Sequence, residues 1–185
     1  MTLIVNLFGA PGAGKSTTRA DVFRRLKQAG INAEEVYEHA KKLTWSSRSE
    51  ELRCQPYIFG KQLRDMEILM GKVDVIITDS PLILCDYYTH KYRPDAYPPA
   101  LRTLIVQQFQ AMGGLSFFIE RVNPYQQAGR NQSEAESDAV GREMRALLDG
   151  YGIHYGIVSG DPSAGTLIAR SVMDALEHAK APTML

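Results

Sequence analysis

The chain has 185 residues, enough for one domain with a short inserted lid. Lys plus Arg and Asp plus Glu each number 21, so the formal net charge is zero and composition gives no case for a protein that coats nucleic acid or a membrane surface. Hydrophobic residues make up 44%, and the two cysteines, Cys54 and Cys85, are too few for a disulfide framework, so free thiols in a reducing cytoplasm are expected.

The elements are predicted in chain order as an alternation of strand and helix, which implies a parallel sheet with helices on both faces. Residues 3–8 form a buried apolar run, a first strand that stops at Gly9. It lacks a basic leader, and no stretch of the chain reaches the roughly 18 apolar residues of a membrane span, so no membrane partner is expected. Residues 15–29 carry Val22, Leu26 and Ala29 on one helical stripe, with Gly30 as the stop. Residues 31–37 make a weaker second strand, residues 56–70 a helix, and residues 73–78 a third strand rich in β-branched residues. Pro98 and Pro99 open a helix that runs to about Met112 and ends at Gly113–Gly114, and residues 115–119 form a fourth strand. Residues 122–132 are polar and turn-rich, a loop read as part of a lid at about 122–135. Ser133 with Glu136 makes a capping box, and the helix behind it ends at Gly150. A fifth strand at 153–158 and a last helix capped by Asp161 complete the pattern, with a frayed tail from residue 179.

The most specific motif spans residues 9–16, Gly-Ala-Pro-Gly-Ala-Gly-Lys-Ser, between the first strand and the first helix. Small residues let backbone amides wrap a phosphate chain, and the helix N-terminus adds its dipole. Lys15 supplies a cation for the terminal phosphates, and Ser16 supplies a hydroxyl for Mg²⁺. The third strand ends in Asp79. If that strand lies beside the first, Asp79 faces the same metal.

Phosphoryl transfer needs three further features. A carboxylate must meet the acceptor hydroxyl; Glu38, after the second strand, is the first candidate and Asp79 the second. An acceptor pocket is expected from Trp45, Gln55, Tyr57 and Gln62, a mixture of ring faces and amides suited to a nucleobase. Arg121, ending the fourth strand, and Arg130, in the polar loop, are candidate lid cations. A guanine-reading Asn-Lys-x-Asp is absent, and a hexameric motor would need a further helical subdomain for which the sequence has no segment. The four histidines show no metal spacing and are read as structural. Residues 86–98 interleave aromatics with cations; a substrate-side loop is the preferred reading, a nucleic-acid stacking surface the other.

These pieces resemble the P-loop nucleoside and nucleotide kinase superfamily, most of all nicotinamide riboside kinase-like domains and phage-encoded P-loop kinases. The matching residues are 9–17, Tyr37–Glu38, 78–81, Arg121 with 129–132, the helix from Glu134 to Leu148, and Gly160–Asp161. The resemblance implies a three-layer α/β fold with sheet order 2-3-1-4-5, and ATP with Mg²⁺ as cofactors. It implies phosphate contacts from Gly9, Gly12, Ala13, Gly14, Lys15, Ser16 and Thr17, and an adenine bordered by the 159–162 loop with Asp161. It implies a nucleoside or nucleotide acceptor. Some phage relatives of this kind phosphorylate hydroxymethyluracil within DNA, so DNA is kept as an alternative substrate; the sequence is also compatible with a homodimer. Two departures favour an unusual acceptor: Ser80 stands where deoxynucleoside kinases usually carry Arg, and the lid has few arginines.

Overall fold

In the computed structural model, which describes residues 2–126 and 132–180, strand β1 (Leu3–Phe8) lies at the centre of a five-stranded sheet. Its neighbours are β3 (Val75–Thr78) on one side and β4 (Leu115–Glu120) on the other; β2 (Ala33–Val36) and β5 (Gly156–Ser159) form the edges. The order β2-β3-β1-β4-β5 is the expected one, and every pairing is parallel.

The apolar runs are explained by helices on both faces. Alternate residues of β1 divide between two cores. Val5 and Leu7 pack with Val22 and Leu26 of α1 (Lys15–Gln28) and with Ile168 and Val172 of α8 (Ala164–Lys180). Ile4 and Phe8 pack on the opposite face, against α4 (Gln55–Leu69), α5 (Leu84–Tyr92), α6 (Pro99–Met112) and α7 (Glu134–Gly150). The Ser133–Glu136 capping box at the head of α7 is formed as predicted.

Several local expectations are corrected. Strand β5 starts at Gly156, not at residue 153, and β2 is likewise shorter than expected. Two short helices, α2 (His39–Trp45) and α3 (Ser49–Arg53), follow β2 where no element was predicted. The segment 86–98, read as a loop, is helical through Tyr92. The buried Leu84, Cys85 and Tyr87 of α5 dock on the α4–α7 side, and this packing overrides the modest helix propensity of the helix's tyrosines and threonine. Helix α8 continues to Lys180, and the rest of the tail expected to fray lies outside the described residues.

The turn from α6 into β4 passes close to the backbone of β1. Gly114 sits there at φ +105, and a Cβ at this position would overlap the Ile4 carbonyl oxygen. Gly114→Ala should therefore cost at least about 2 kcal/mol, since a strained φ alone carries on the order of 1–3 kcal/mol. Thermal unfolding of the variant measures it, and a melting temperature equal to wild type would refute the close approach.

Candidate active site

The carboxyl ends of β1, β2 and β3 meet at one edge of the sheet, where open α/β folds bind ligands. Residues 9–14 connect β1 to α1 as a loop with three glycines at positive φ: Gly9 (+146), Gly12 (+82) and Gly14 (+93). At Gly9 a Cβ would stand 2.6 Å from the Ile119 carbonyl oxygen, so the loop can lie against β4 only with glycine there. Gly14 caps α1 with no side-chain hydrogen bond, and the first turn has no acid, so its amides point outward without a competing side chain. Lys15 bends back over the loop; its Nζ donates to the Gly9 and Ala10 carbonyls at 2.8 and 3.0 Å. Two elements clamp the loop from outside. Ser137 of α7 donates to the Pro11 carbonyl at 2.6 Å, and Gly160 abuts the Ala13 carbonyl so closely that it has no room for a Cβ. This amide cradle fits a triphosphate.

Asp79 extends β3 and is 1% exposed. Its Oδ2 accepts from Ser16 Oγ at 2.7 Å and its Oδ1 from Arg19 Nη1 at 2.6 Å. Arg19 also gives its Nε to Glu35 Oε1 at 2.7 Å and lies 4.3 Å from the centre of the Tyr37 ring. Burial opposes the guanidinium charge, but Asp79 and Glu35 outweigh it and hold Arg19 above its ordinary pKa. Ser16 and Asp79 present hard oxygen donors side by side. Among the described residues no group of three or more His, Cys, Asp or Glu is arranged to hold a metal. That set suits Mg²⁺, which takes one or two protein oxygens and completes its shell with phosphate and water.

Glu38 lies two residues past the end of β2, at the N-cap position of α2, and is half-buried, with its exposed part turned to a cavity of about 1100 Å³. No hydrogen bond or ion pair holds its carboxylate among the described residues. Desolvation pushes its pKa up, Lys15 pulls it back, and the Asp79 charge adds to the rise; the net direction is upward. The cavity is larger than the roughly 300–1,000 Å³ of a single-ligand pocket. It joins the phosphate loop to a chamber walled by α2, α4 and α5.

Of the four residues expected in an acceptor pocket, Trp45 and Gln55 line this chamber. Trp45 is 66% exposed, so the alternative of a core tryptophan is excluded. Tyr57 and Gln62 are elsewhere: the Tyr57 hydroxyl meets His39 Nε2 at 3.2 Å, and the buried Gln62 amide donates to Thr78 Oγ1 at 3.0 Å. Gln55 and Gln62 do lie on one helical face, but that face descends into the core after its first turn. In their place stand Tyr88 and Tyr92, parallel within 2° with ring centres 5.9 Å apart, both on the cavity wall. Burial, then the Glu38 charge, keeps the Tyr88 phenol protonated. Cys85, also on the wall, is pushed up to about 12 by burial first, and acts as a small apolar residue.

Arg121 does not reach the cavity. It binds Asp138 and, at 3.3 Å, Glu134, both on α7, and lies over the Tyr125 ring. Arg130 lies outside the described residues. The Asp161 carboxylate accepts from the Ser163 amide and hydroxyl at 2.7 and 2.6 Å, a turn that leads into α8. Sequence reasoning missed Arg19, although its spacing of three from Ser16 puts both on one helical face and was a usable signal. It missed Tyr88 and Tyr92 because it read their segment as a loop.

A glycine-built loop of this kind, leading from the central strand of such a sheet into a helix, defines a P-loop NTPase. Comparison with known families agrees: residues 4–164 match the AAA domain family, and the chain belongs to it. Its fold is similar to that of a solved structure described as the crystal structure of NadR protein in complex with NR. The TM-score is 0.70 and the identity 18%, over 100% of this chain and 54% of that one, so this chain spans about half the length of that one. No curated protein matches the sequence.

Proposed function

We propose that the protein is a kinase that transfers the γ-phosphoryl group of ATP to a hydroxyl of a nucleoside or nucleotide. The observation that carries this reading is Glu38, whose carboxylate has no hydrogen bond or ion pair among the described residues, between the phosphate loop and an aromatic chamber. A hydrolase needs only a water beside the phosphate; a kinase needs a base facing room for a second substrate. The likeness to a NadR chain solved with NR supports a small acceptor of this size.

In this reading the amides of residues 9–17 and Lys15 hold the triphosphate. Ser16 and Asp79 hold Mg²⁺, which supplies neutralisation of phosphate charge. Both Asp79 oxygens are engaged by Ser16 and Arg19, so Glu38 takes the role of base. Its carboxylate accepts the acceptor's O–H proton while that oxygen bonds to the γ-phosphorus, and the bond from phosphorus to the bridging oxygen breaks to release ADP. Arg121 and Arg130 are the candidates to stabilise charge on the transferring group; Arg121 would have to leave Asp138 and Glu134 to do so. Residues 122–135 would act as the lid.

Tyr88 and Tyr92 present ring faces to the acceptor. Stacking is worth about 1–3 kcal/mol per base, so Tyr92→Ala should raise the acceptor KM by about 10-fold and leave the KM for ATP within about 2-fold. An equal rise in both constants would remove Tyr92 from the acceptor subsite.

The test is transfer of labelled γ-phosphate to a panel of nucleosides, nucleoside monophosphates, nicotinamide riboside, and duplex DNA with and without hydroxymethylated pyrimidines. Label on a small molecule supports the proposal. A second reading, phosphorylation of a hydroxymethylated pyrimidine in DNA, is favoured by the exposed Trp45 with Lys41, Arg53 and Arg93 on the same cavity; label on modified DNA alone would establish it. Free phosphate without a labelled acceptor would point to a hydrolytic switch. ATP binding without turnover would point to a binding module.

A further inference from the structure

The Asp79 carboxylate is fixed from both sides by one helix. Ser16 and Arg19, three apart on α1, project from the same face and take its two oxygens at 2.7 and 2.6 Å. Strand alternation explains why the other partners gather there. Glu35 pairs with Ile77 across β2 and β3, and Ile77 points to the α1 side of the sheet. Asp79 and Tyr37, each two residues further along its chain, continue on that side. Arg19 fills the space between them. Its Nη1 serves Asp79, its Nε serves Glu35, and its Cζ lies 4.3 Å from the Tyr37 ring centre; the Tyr37 hydroxyl in turn donates to Glu35 Oε2 at 3.1 Å.

A buried ion network of this kind gives little stability over well-packed apolar residues. Its effect lies in the carboxylate that it orients. Without Arg19, Asp79 would be a nearly inaccessible charge held by a single hydroxyl, and its second oxygen would be free to rotate toward any other donor. The fork of a guanidinium serves two acids in fixed directions, which a lysine cannot do.

We propose that Arg19 is a positioning residue: it sets the Asp79 carboxylate against Ser16 for metal binding, and with Glu35 and Tyr37 it braces that acid to the strand end carrying Glu38. This inference rests on the reading of Ser16 and Asp79 as the Mg²⁺ side of the nucleotide site.

The test is equilibrium binding of a fluorescent ATP analogue as Mg²⁺ is titrated, with no acceptor and no turnover required. Wild type should bind more tightly with Mg²⁺ than in EDTA. Loss of a residue that orients a metal ligand typically weakens metal affinity about 10- to 100-fold. Arg19→Gln should therefore raise the Mg²⁺ midpoint by at least about 10-fold, while binding in EDTA changes by less than about 2-fold, and Arg19→Lys should recover only part of the shift. A folded Arg19→Gln with the wild-type midpoint overturns the proposal. If Arg19→Gln does not fold, Glu35→Gln replaces it. That variant keeps the Asp79 pair and loosens only the brace; a midpoint raised a few-fold supports the proposal and an unchanged one overturns it. Wild-type binding that ignores Mg²⁺ would overturn the Ser16–Asp79 reading and this inference with it, an outcome distinct from a shift missing only in the variants.

Discussion

Glu38→Gln should slow phosphoryl transfer by roughly 10²- to 10⁴-fold, the range for loss of a general base, and leave ATP binding intact. Glutamine keeps the shape and a hydrogen-bonding oxygen but cannot accept the proton. The pH dependence gives a sharper signature. Desolvation in the cavity lifts the Glu38 pKa; Lys15 opposes the rise and Asp79 adds to it, so the acid limb of the transfer rate should lie above the ordinary carboxylate range. Activity should increase as pH rises through that limb, and the limb should vanish in the variant. Stability should move the other way. A carboxyl whose folded pKa exceeds its unfolded value stabilises the fold fully below the unfolded pKa, and loses that contribution as pH rises through the folded one. At neutral pH Glu38→Gln should thus melt no lower than wild type. Transfer at the wild-type rate would transfer the role of base to Asp79 or to the substrate.

Lys15→Ala should lower transfer by roughly 10²- to 10³-fold, as expected for removal of one preorganised charge-stabilising donor. Among the described residues the lysine gives up two hydrogen bonds, to the Gly9 and Ala10 carbonyls, each worth about 1 kcal/mol, so the fold should survive. A second effect follows from its position. Lys15 is the largest influence holding the Glu38 pKa down. The residual activity should therefore show its acid limb at higher pH than wild type. A rate profile measured across pH checks both effects, and unchanged turnover would remove Lys15 from the phosphate site.

The phosphate half of the site was legible because its chemistry is local. Residues 9–16 need only be contiguous, and the strand before and helix after them are read from neighbouring periodicity. Asp79 was legible because an apolar run that stops at an acid marks a strand end; Glu38 was legible more weakly, as the acid that follows a short, half-polar second strand. The sheet order came from the resemblance, and the pairings bear it out.

The acceptor side was not legible in that way. Helices α2 and α3 are seven and five residues long, too short for periodicity to show, and neither has a side-chain cap. Helix α5 carries tyrosines and a threonine that favour other conformations, and it is helical because its buried face docks on α4 and α6. Gln62 and Tyr57 share the polarity of pocket residues, and only their tertiary partners, Thr78 and His39, separate them from Gln55 on the cavity wall. The sequence by itself determined the nucleotide-binding loop, its lysine and hydroxyl, and the acids at two strand ends, since each depends on residues close in the chain. The tertiary structure alone decided which rings line the cavity, that Arg19 holds Asp79, and that Glu38 faces the cavity with no hydrogen bond or ion pair among the described residues, since each of these depends on how segments distant in the chain pack together.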